Sequence, residues 1–525
     1  SAVIELLQDP AFQKSWDQLF ESCPWATVFQ TRAFVASWYN AYREKHFPIL
    51  LKAVSKGQLR GVLPVAFLNA NGNDRHSIKK RGKIIGAGHY EAEYHVWLAP
   101  PADGNTFIQS ALTELMTQFP GSTISLRFIP KGTPMNWVQQ NEKWRKYSIV
   151  QPYTLPLIHY KSPAEVKVGK HFKHKLNRLK KTAEVCFESI KDRETFIRSL
   201  DEMAIMLDFR QAALFNKIPF WEDPAKKEFL LALFDQQLLH TTVFKVNNKI
   251  TAAVIATIRN NCAYLSGLIC HSPLNARVIS PGYMHFQFLT KQLVEEGIQY
   301  FDLSPGYDAY KEELATQQDE VQELIISTAK GFRIKRQFKK WLHARMVARA
   351  IRPMTAELTI KKYRYDLRHW HPSPVIKRLV KKLHKQETQQ SYLIIKSTLE
   401  QAIATPWQKN SLADLLEINS DDKAGLSRWK FLADAMCRLE KGQNCFTWLQ
   451  NNQLVCCIWV SYGEDSIVIE KGYCHASAKE WLPAFLKNMV IALGENKEDS
   501  TFQLLVTDRQ ICEAMKIAGF QRATS

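Results

Sequence analysis

The sequence has no long apolar run and no recognisable targeting segment. No apolar stretch approaches the ~18–20 residues of a membrane-spanning helix. The first residues, "SAVIELLQDPAF", lack the basic and then apolar stretches of a signal peptide. We therefore expect a soluble, intracellular protein in the cytoplasm. A basic segment described below would allow it to bind peripherally to the inner face of the membrane.

Cysteine pairs and metal-binding motifs are also missing. The ten cysteines show no C-x-x-C spacing, and most lie in apolar segments such as "LVCCIWV", so we expect reduced structural thiols. No His/Cys/Asp/Glu cluster has metal-ligand spacing, and no G-x-S-x-G motif or triad order is present. The sequence therefore predicts neither a metal centre nor a serine-hydrolase site.

Positive charge is concentrated in two segments. The 525 residues carry a formal charge of +19, with +7 between 161 and 181 and +16 between 330 and 385. The second segment has eighteen lysines and arginines against Glu357 and Asp366 only. The rest of the chain is slightly acidic, so two basic surfaces are predicted rather than a general affinity for nucleic acid.

One order of elements occurs three times along the chain. Each copy has a helical pattern, two β-prone arms joined by a short polar turn, then a strand, a helix and a final strand. The three hairpins are "LLKAVSKGQLRGVLPVAFL", "TVFKVNNKITAAVIATI" and "FTWLQNNQLVCCIWVSY". The number of residues also suits about three domains.

We therefore predict an α/β fold with mixed sheets, built from three copies of one unit. The predicted domains are 1–160, 161–330 and 389–525, with a basic helical connector at 331–388. Chance similarity of amphipathic segments is the alternative.

The middle copy differs from the others between its third strand and the helix that follows. There "NARVISPGYMHF" places Arg277, Ser280 and Gly282 as R-x-x-S-x-G at a strand-to-helix junction. Small residues let backbone N–H groups approach a ligand, and a helix N-terminus attracts anions. The other copies have "HVWLAPPADGNTF" and "YCHASAKEW" instead. Only the middle copy is predicted to hold a phosphorylated cofactor, unless the Ser-Pro-Gly turn merely starts a helix.

The order of elements and this loop resemble the GNAT acyltransferase fold. The segments "KHFKHKLNRLKK", "VNNKITAAVIATI" and "FDLSPGYDAYKEELA" are similar to the acetyltransferase domain of the CelD-like, cellulose-biosynthesis-associated GNAT family. The resemblance covers roughly residues 25–345 and is strongest over 165–316. More distantly, the chain resembles the Fem-like tandem GNAT proteins.

The resemblance implies a site for acetyl-CoA or another acyl-CoA as acyl donor, without a metal. The loop would bind the pyrophosphate of coenzyme A through Arg277, Ser280, Gly282 and Tyr283. The chain departs from the family pattern in two places: bulky Ile279 stands where a small residue is usual, and Ser280 replaces the glycine of R-x-x-G-x-G.

Acyl transfer needs a proton acceptor and a group that stabilises the developing oxyanion. By the resemblance, the strand that ends in "YFDLS" borders the cleft where thioester and acceptor meet, with Asp302 and Ser304 pointing into it. Asp302 would act as the base or orient the acceptor amine, and Lys311 would stabilise negative charge. Tyr310 would protonate the departing thiolate. In the alternative interpretation Asp302 caps a turn, Tyr310 packs and Lys311 is solvated.

Two further residues are candidates for acceptor binding. Arg210 of "DFRQA" lies in the helical region before the middle hairpin, where the family commonly keeps a basic residue facing the acceptor. His271 follows the strand that should flank the thioester. The alternatives are a helix-surface ion pair for Arg210 and an uninvolved loop histidine.

The longer basic segment has the composition of an interfacial helix. "KGFRIKRQFKKWLHARMVARAIRP" sets Ile334, Phe338, Trp341 and Leu342 at helical spacing among arginines and lysines, and "WHPSPVIKRLVKKLHK" extends the pattern. Such a helix binds an anionic membrane surface. The alternative is a connector whose apolar stripe packs between domains. The shorter basic segment, "KVGKHFKHKLNRLKK", would face the acceptor, the cofactor phosphates or solvent.

The predicted function is acyl-CoA-dependent N-acyl transfer by the middle domain. The acceptor would be an amine on a small polar molecule or an envelope precursor. One alternative is a Fem-like transferase that takes an aminoacyl group from tRNA, although no sustained heptads mark a coiled-coil arm between 165 and 330. The other is a non-catalytic scaffold that docks on an anionic membrane.

Overall fold

The computed structural model describes most of the chain as two compact units. The described residues are 2–69, 82–166, 169–274, 276–306, 308–349, 351, 353–368, 390–395, 406–419, 427–463, 466–495, 501–506 and 508–523. The first unit comprises Ser1–Leu200, Asp223–Ile269 and Gly282–Glu357, and the second comprises Asp201–Glu222, Cys270–Pro281 and Leu358–Ser525.

Each unit contains one mixed sheet. The strands of the first sheet are β1 His46–Ser55, β2 Gln58–Leu68, β3 Lys83–Gly86, β4 Thr123–Pro130, β5 Ser148–His159, β6 Val185–Ser189, β7 Leu239–Val246, β8 Lys249–Arg259, β9 Cys262–His271, β10 Tyr300–Asp302 and β11 Gln317–Ile326. Those of the second sheet are β12 Gln390–Ile395, β13 Gln408–Lys409, β14 Asn444–Gln450, β15 Gln453–Tyr462, β16 Ser466–Cys474 and β17 Thr501–Val506.

The helices are interspersed with these strands along the chain. They are α1 Ala2–Gln8, α2 Pro10–Glu21, α3 Arg32–Tyr42, α4 Gly104–Gln118, α5 Trp137–Gln140, α6 Glu142–Tyr147, α7 Lys170–Lys180, α8 Arg193–Phe215, α9 Pro219–Glu222, α10 Ala225–Asp235, α11 Ala276–Ile279, α12 Pro281–Glu295, α13 Ala309–Leu314, α14 Lys330–Ala348, α15 Pro353–Arg368, α16 Leu412–Leu416, α17 Arg428–Glu440, α18 Leu482–Glu495 and α19 Arg509–Ile517.

The predicted fold class, an α/β fold with mixed sheets, is confirmed, and the predicted order of elements recurs three times. A hairpin, a strand, a helix and a final strand follow one another as β1–β2–β3–α4–β4, β7–β8–β9–α12–β10 and β14–β15–β16–α18–β17. In each copy the last strand pairs in parallel with the strand before the helix. We refer to these copies as the first, middle and third repeats.

The backbone conformation of the three hairpin turns explains why the sequence predicted them. Lys56 and Gly57, Asn247 and Asn248, and Asn451 and Asn452 all have positive φ angles, between 49° and 76°. Two consecutive left-handed residues make the type I′ turn, whose twist matches that of the flanking strands. Asparagine and glycine adopt this conformation at little cost, so five of these six turn residues favour it, and Lys56 is the exception.

The sheet of the first unit joins the first and middle repeats without a break. Its strand order is β1-β2-β3-β4-β11-β5-β10-β9-β8-β7-β6. Strand β11 follows the middle repeat but pairs with β4 of the first, and β5 follows the first repeat but pairs with β10 of the middle one. The two repeats therefore exchange strands, and one long ladder between β5 and β11 connects them.

Aromatic side chains dominate the core of the first repeat. Trp16, Phe29, Phe34, Trp38 and Trp97 are each at most 1% exposed. Helix α3 begins at Arg32, where the Thr31 side chain accepts a hydrogen bond from the Phe34 N–H, and the helix buries Phe34 and Trp38 in this core. The segment between β3 and α4 belongs to this core through Trp97 and its neighbours, and it contributes to the site described below.

Two further observations concern what the described residues lack. Among them, no helix is both long and apolar enough to cross a membrane, and no group of three His, Cys, Asp or Glu side chains could hold a metal ion. Between 169 and 330 the longest described helix is α8, with 23 residues.

The predicted basic extension 370–385 and Val168 of the shorter basic segment lie outside the described residues. The predicted domain boundaries stay a prediction.

The strand exchange predicts that the middle repeat does not fold alone. A fragment 161–349 lacks β5, so β10 and β11 lose the strand that lies between them. We expect this fragment to show no cooperative thermal unfolding by circular dichroism, whereas a fragment 1–349 should unfold cooperatively. If the shorter fragment unfolds cooperatively at a similar temperature, β5 is dispensable and the exchange does not hold the two repeats together.

Candidate active site

Asp302 ends the short strand β10 and is buried. Strand β10 lies between β9 and β5, where Asp302 stands opposite Tyr264 and Leu157. Its side chain is 3% exposed. One carboxylate oxygen accepts a 2.7 Å hydrogen bond from the Ser304 N–H, and the other accepts one from the Tyr94 hydroxyl. The carboxylate is therefore fixed in orientation by donors on both oxygens.

Ser304 and Lys311 complete a closed turn after β10. Ser304 has a φ of 64°, a left-handed conformation that is uncommon for serine. Its hydroxyl donates to the Leu265 carbonyl at 2.8 Å, and its own carbonyl accepts from the Lys311 ammonium at 3.1 Å. Lys311 is 7% exposed and also lies 3.8 Å from the Asp308 carboxylate. The structure thus brings together three residues that the sequence singled out: Asp302, Ser304 and Lys311.

Tyr94 comes from the first repeat and was not predicted. Its ring lies 5.9 Å from both Phe29 and Tyr264, measured between ring centroids, and its carbonyl accepts a 2.7 Å hydrogen bond from the buried Gln30 amide. Tyr94 lies between β3 and α4, the place in the first repeat that corresponds to the predicted cofactor loop of the middle one. The first repeat uses this place to reach the Asp302 carboxylate.

Glu93 and Arg127 lie beside this contact and were also missed. The Glu93 side chain is 13% exposed, and its Oε2 has no hydrogen-bond partner; the Arg127 guanidinium is 3.7 Å away. Arg127 lies over the rings of Tyr90 and Phe128, at 4.9 and 4.7 Å from their centroids. The sequence signal for Glu93 was the density of acidic and aromatic residues in "HYEAEYHVW", and Arg127 lies outside that stretch.

The backbone around Arg127 is held in an unusual conformation. Phe128 has a φ of 41°, which is rare for a bulky aromatic residue. His95 brackets Arg127: the His95 N–H donates to the Arg127 carbonyl at 2.9 Å, and the Arg127 N–H donates to His95 Nδ1 at 3.1 Å. Left-handed residues that persist without glycine tend to occur at functional sites. Phe128, Ser304 and His89, with a φ of 45°, are three such residues in this region.

Burial raises the pKa of Asp302 to about 7. The hydrogen bonds from Tyr94 and Ser304 and the charge of Lys311 oppose this rise, because they favour the carboxylate, while Glu93 adds to it. Burial likewise raises the pKa of Glu93 and lowers that of Lys311. Three ionisable groups therefore share one poorly solvated place, and a proton can be gained or lost there near neutral pH.

The predicted cofactor loop contains a second left-handed serine. Ser280 has a φ of 55°, between the short helix α11 and α12. Glycine adopts this conformation freely, which explains why the family pattern has glycine here. Pro281 is the first residue of α12, and Gly282 and Tyr283 lie in its first turn. Arg277 lies in α11, and its Nε is 3.8 Å from the Glu440 carboxylate within the second unit.

Three further residues were predicted from the sequence: Arg210, His271 and Tyr310. Arg210 of α8 and His271 at the end of β9 belong to the second unit. Burial, and then the charge of Arg210, lowers the pKa of His271 to about 4, so this histidine is neutral at physiological pH. Tyr310 is 39% exposed and packs with its ring centroid 5.8 Å from that of Phe286. The roles assigned to these residues stay predictions.

A family model supports the resemblance stated from the sequence. The model described as "Acetyltransferase (GNAT) domain" matches residues 167–312. The chain therefore contains a GNAT acyltransferase fold in its middle part, nearly the interval where the sequence resemblance was strongest. The CelD-like assignment stays a prediction. No curated protein matches the chain.

Several solved structures are similar at low identity. L-PGS from Bacillus licheniformis is 12% identical, with a TM-score of 0.40, over 64% of this chain and 96% of its own. FemX is 11% identical, with a TM-score of 0.40, over 59% and 95%. A tandem GNAT protein from the clavulanic acid biosynthesis pathway is 10% identical, with a TM-score of 0.38, over 62% and 97%.

The raised pKa of Asp302 predicts a pH-dependent stability. Because folding favours the protonated carboxyl, the wild-type protein loses stability as pH rises from about 4, the pKa in the unfolded chain, to about 7. Asp302→Asn removes this loss. In urea titrations we measure the free energy of unfolding of the variant minus that of the wild type. We expect this difference to increase between pH 4.5 and pH 8 by at most about 4 kcal/mol.

Asp192 provides the matched control. Its carboxylate accepts a 2.8 Å hydrogen bond from the Thr195 N–H at the start of α8, and this bond lowers its pKa. Its contribution to stability is therefore lost as pH falls, so Asp192→Asn should show no gain at pH 8. Equal behaviour of the two variants would mean that Asp302 is not protonated in the folded protein.

Proposed function

We propose that the protein is an acyl-CoA-dependent N-acyltransferase. It transfers an acyl group, acetyl foremost, from the CoA thioester to an amine of a small polar molecule or an envelope precursor. The observation that carries this proposal is the Asp302 carboxylate, buried at the end of β10 inside the GNAT domain, with a pKa of about 7. A general base is most effective when its pKa is close to the working pH.

The reaction assigns one task to each group of the cluster. The neutral amine attacks the thioester carbonyl, the N–C bond forms, and the Asp302 carboxylate takes the proton that the nitrogen loses. The C–S bond then breaks, and the CoA thiolate leaves and is protonated, with Tyr310 as the proposed donor. Lys311 stabilises negative charge on the acyl oxygen, because its ammonium is buried and held by the Ser304 carbonyl.

The first repeat acts on the same carboxylate through Tyr94. The Tyr94 hydroxyl donates to Asp302 and keeps its pKa from rising further, so that a useful fraction is ionised at neutral pH. In this proposal residues 161–330 form the catalytic domain, 1–160 contribute Tyr94 and Glu93, and the third repeat carries no cofactor loop. Arg210, His271 and Ser304 are proposed to contact the acceptor.

Acyl-CoA is favoured as donor by the loop from Arg277 to Tyr283. The Ser280 N–H donates to the Ala276 carbonyl at 2.8 Å, so the N–H groups presented to a phosphate are those of Gly282 and Tyr283 in the first turn of α12. Arg277 adds a positive charge. The Fem-like alternative would require a long paired helical arm, and the described part of 169–330 contains no helix longer than α8. A scaffold would have no use for a buried Asp302 beside a buried Lys311. We also propose the CelD-like family and a cytoplasmic location.

The proposal is tested by two variants and two measurements on the full chain. Gly282→Glu places a negative charge where the pyrophosphate should bind, so we expect CoA affinity in calorimetry to fall at least about tenfold. Asp302→Asn should leave CoA affinity unchanged and lower turnover at least about 10²-fold. Turnover is followed as CoA release with the amine that mass spectrometry identifies in the natively purified protein.

Ser280→Gly is the control for the loop. It restores the glycine of the family pattern and relieves the left-handed conformation, which costs a non-glycine residue about 1 kcal/mol. This variant should bind CoA at least as tightly as the wild type. Unchanged affinity in Gly282→Glu would refute the donor assignment, and wild-type turnover in Asp302→Asn would refute the base.

A further inference from the structure

Helix α14 attaches to the first unit through its charged side chains. The Arg333 guanidinium donates to the Lys146 carbonyl, and the Lys340 ammonium donates to the Val150 carbonyl at 2.9 Å. Arg336 forms an ion pair with Glu323 at 2.5 Å. These residues recur every three or four positions, so they form one face of the helix, the arginine face, which contacts α6, β5 and β11.

The opposite face of α14 is apolar and exposed. Ile334, Phe338, Trp341 and Leu342 are 67%, 59%, 50% and 41% exposed. Their spacing of four, three and one residues places them on one stripe, roughly opposite the arginine face. No residue of α14 is buried. The usual arrangement of a surface helix, apolar side inward and charged side outward, is therefore reversed.

The stripe combines aromatic rings with cations. The rings of Phe338 and Trp341 stack at 5.7 Å between centroids, and the Arg345 guanidinium lies 4.9 Å from the Trp341 centroid. Lys335 and Arg349 are exposed at the edge of the same face. The helix lies within the segment 330–385, whose formal charge is +16. An exposed apolar stripe bordered by positive charge matches a surface that is apolar inside and anionic outside.

We propose that α14 docks the protein on an anionic membrane surface. The side chains Ile334, Phe338, Trp341 and Leu342 enter the boundary between headgroups and acyl chains, and the flanking lysines and arginines contact lipid phosphates. The arginine face stays attached to α6, β5 and β11, so docking requires no rearrangement of the helix. The site is distinct from Asp302 and its neighbours and does not depend on the proposed chemistry.

The composition of the stripe favours a membrane over a nucleic acid. Phosphates of RNA would attract the lysines and arginines, but aliphatic Ile334 and Leu342 would gain nothing from a backbone of charged phosphates. In a lipid interface the same residues leave water, and each cation near the surface adds to the attraction. Both contributions then act on the same face of the helix.

The test measures binding of the full chain to vesicles. Vesicles of equimolar phosphatidylcholine and phosphatidylglycerol should bind the protein in co-sedimentation, and pure phosphatidylcholine should bind it at least about tenfold more weakly. Rising salt should weaken the binding, because exposed charges are screened over about 8–10 Å near physiological ionic strength. Trp341→Glu should lower the affinity for the anionic vesicles at least about tenfold.

Trp481→Glu is the matched control. Trp481 is 47% exposed, close to the 50% of Trp341, but lies outside the stripe, so its replacement should leave vesicle binding unchanged. Circular dichroism of both variants checks that the fold is kept. Equal loss in both variants, equal binding to neutral and anionic vesicles, or binding to tRNA but not to anionic vesicles would each overturn the proposal.

Discussion

The hydrogen bond between the Tyr94 hydroxyl and the Asp302 carboxylate joins the first repeat to the middle one at the point where chemistry is proposed. Burial alone would make Asp302 a neutral acid, and a neutral acid cannot accept a proton. Tyr94, the Ser304 N–H and Lys311 each favour the ionised form, and together with burial they set a pKa of about 7. The carboxylate is therefore buried and still able to ionise, because a neighbouring repeat supplies a donor.

That contact depends on the exchange of strands between the two repeats. Strand β5 lies between β11 and β10, so the ladder that ends at Asp302 is continuous with the sheet of the first repeat. The first repeat lacks the predicted cofactor loop, and the corresponding segment carries Glu93, Tyr94 and His95 instead. In place of a cofactor loop, this segment of the first repeat positions the Tyr94 side chain on Asp302 of the middle repeat.

Local features of the fold could be predicted from the sequence, and non-local ones could not. The Asn-Asn turns and the three repeated hairpins follow from the conformational preferences of a few adjacent residues. Asp302, Ser304 and Lys311 lie within ten residues of one another, so the sequence could also predict that they are close in space. Tyr94 is 208 residues from Asp302, and non-local contacts bring the two repeats together: the pairing of β5 with β10 and β11, and the packing of α3 on α10.

The orientation of helix α14 is another non-local feature that the sequence could not predict. Its periodicity predicted an apolar stripe correctly, but the pattern alone did not say which face would pack on the protein. Glu323 and the backbone carbonyls of residues 146 and 150 orient the helix, because they bind its arginine and lysine side chains. Such partners are distant in sequence and carry no motif.

The dependence of acyl-transfer rate on pH in Tyr94→Phe tests the composite site most directly. The rate should rise with pH as Asp302 loses its proton. Removing the hydroxyl that stabilises the carboxylate should raise that pKa, and the rising part of the profile should move to higher pH by about one unit. A profile that rises at the same pH as in the wild type would contradict a role of the first repeat in tuning Asp302.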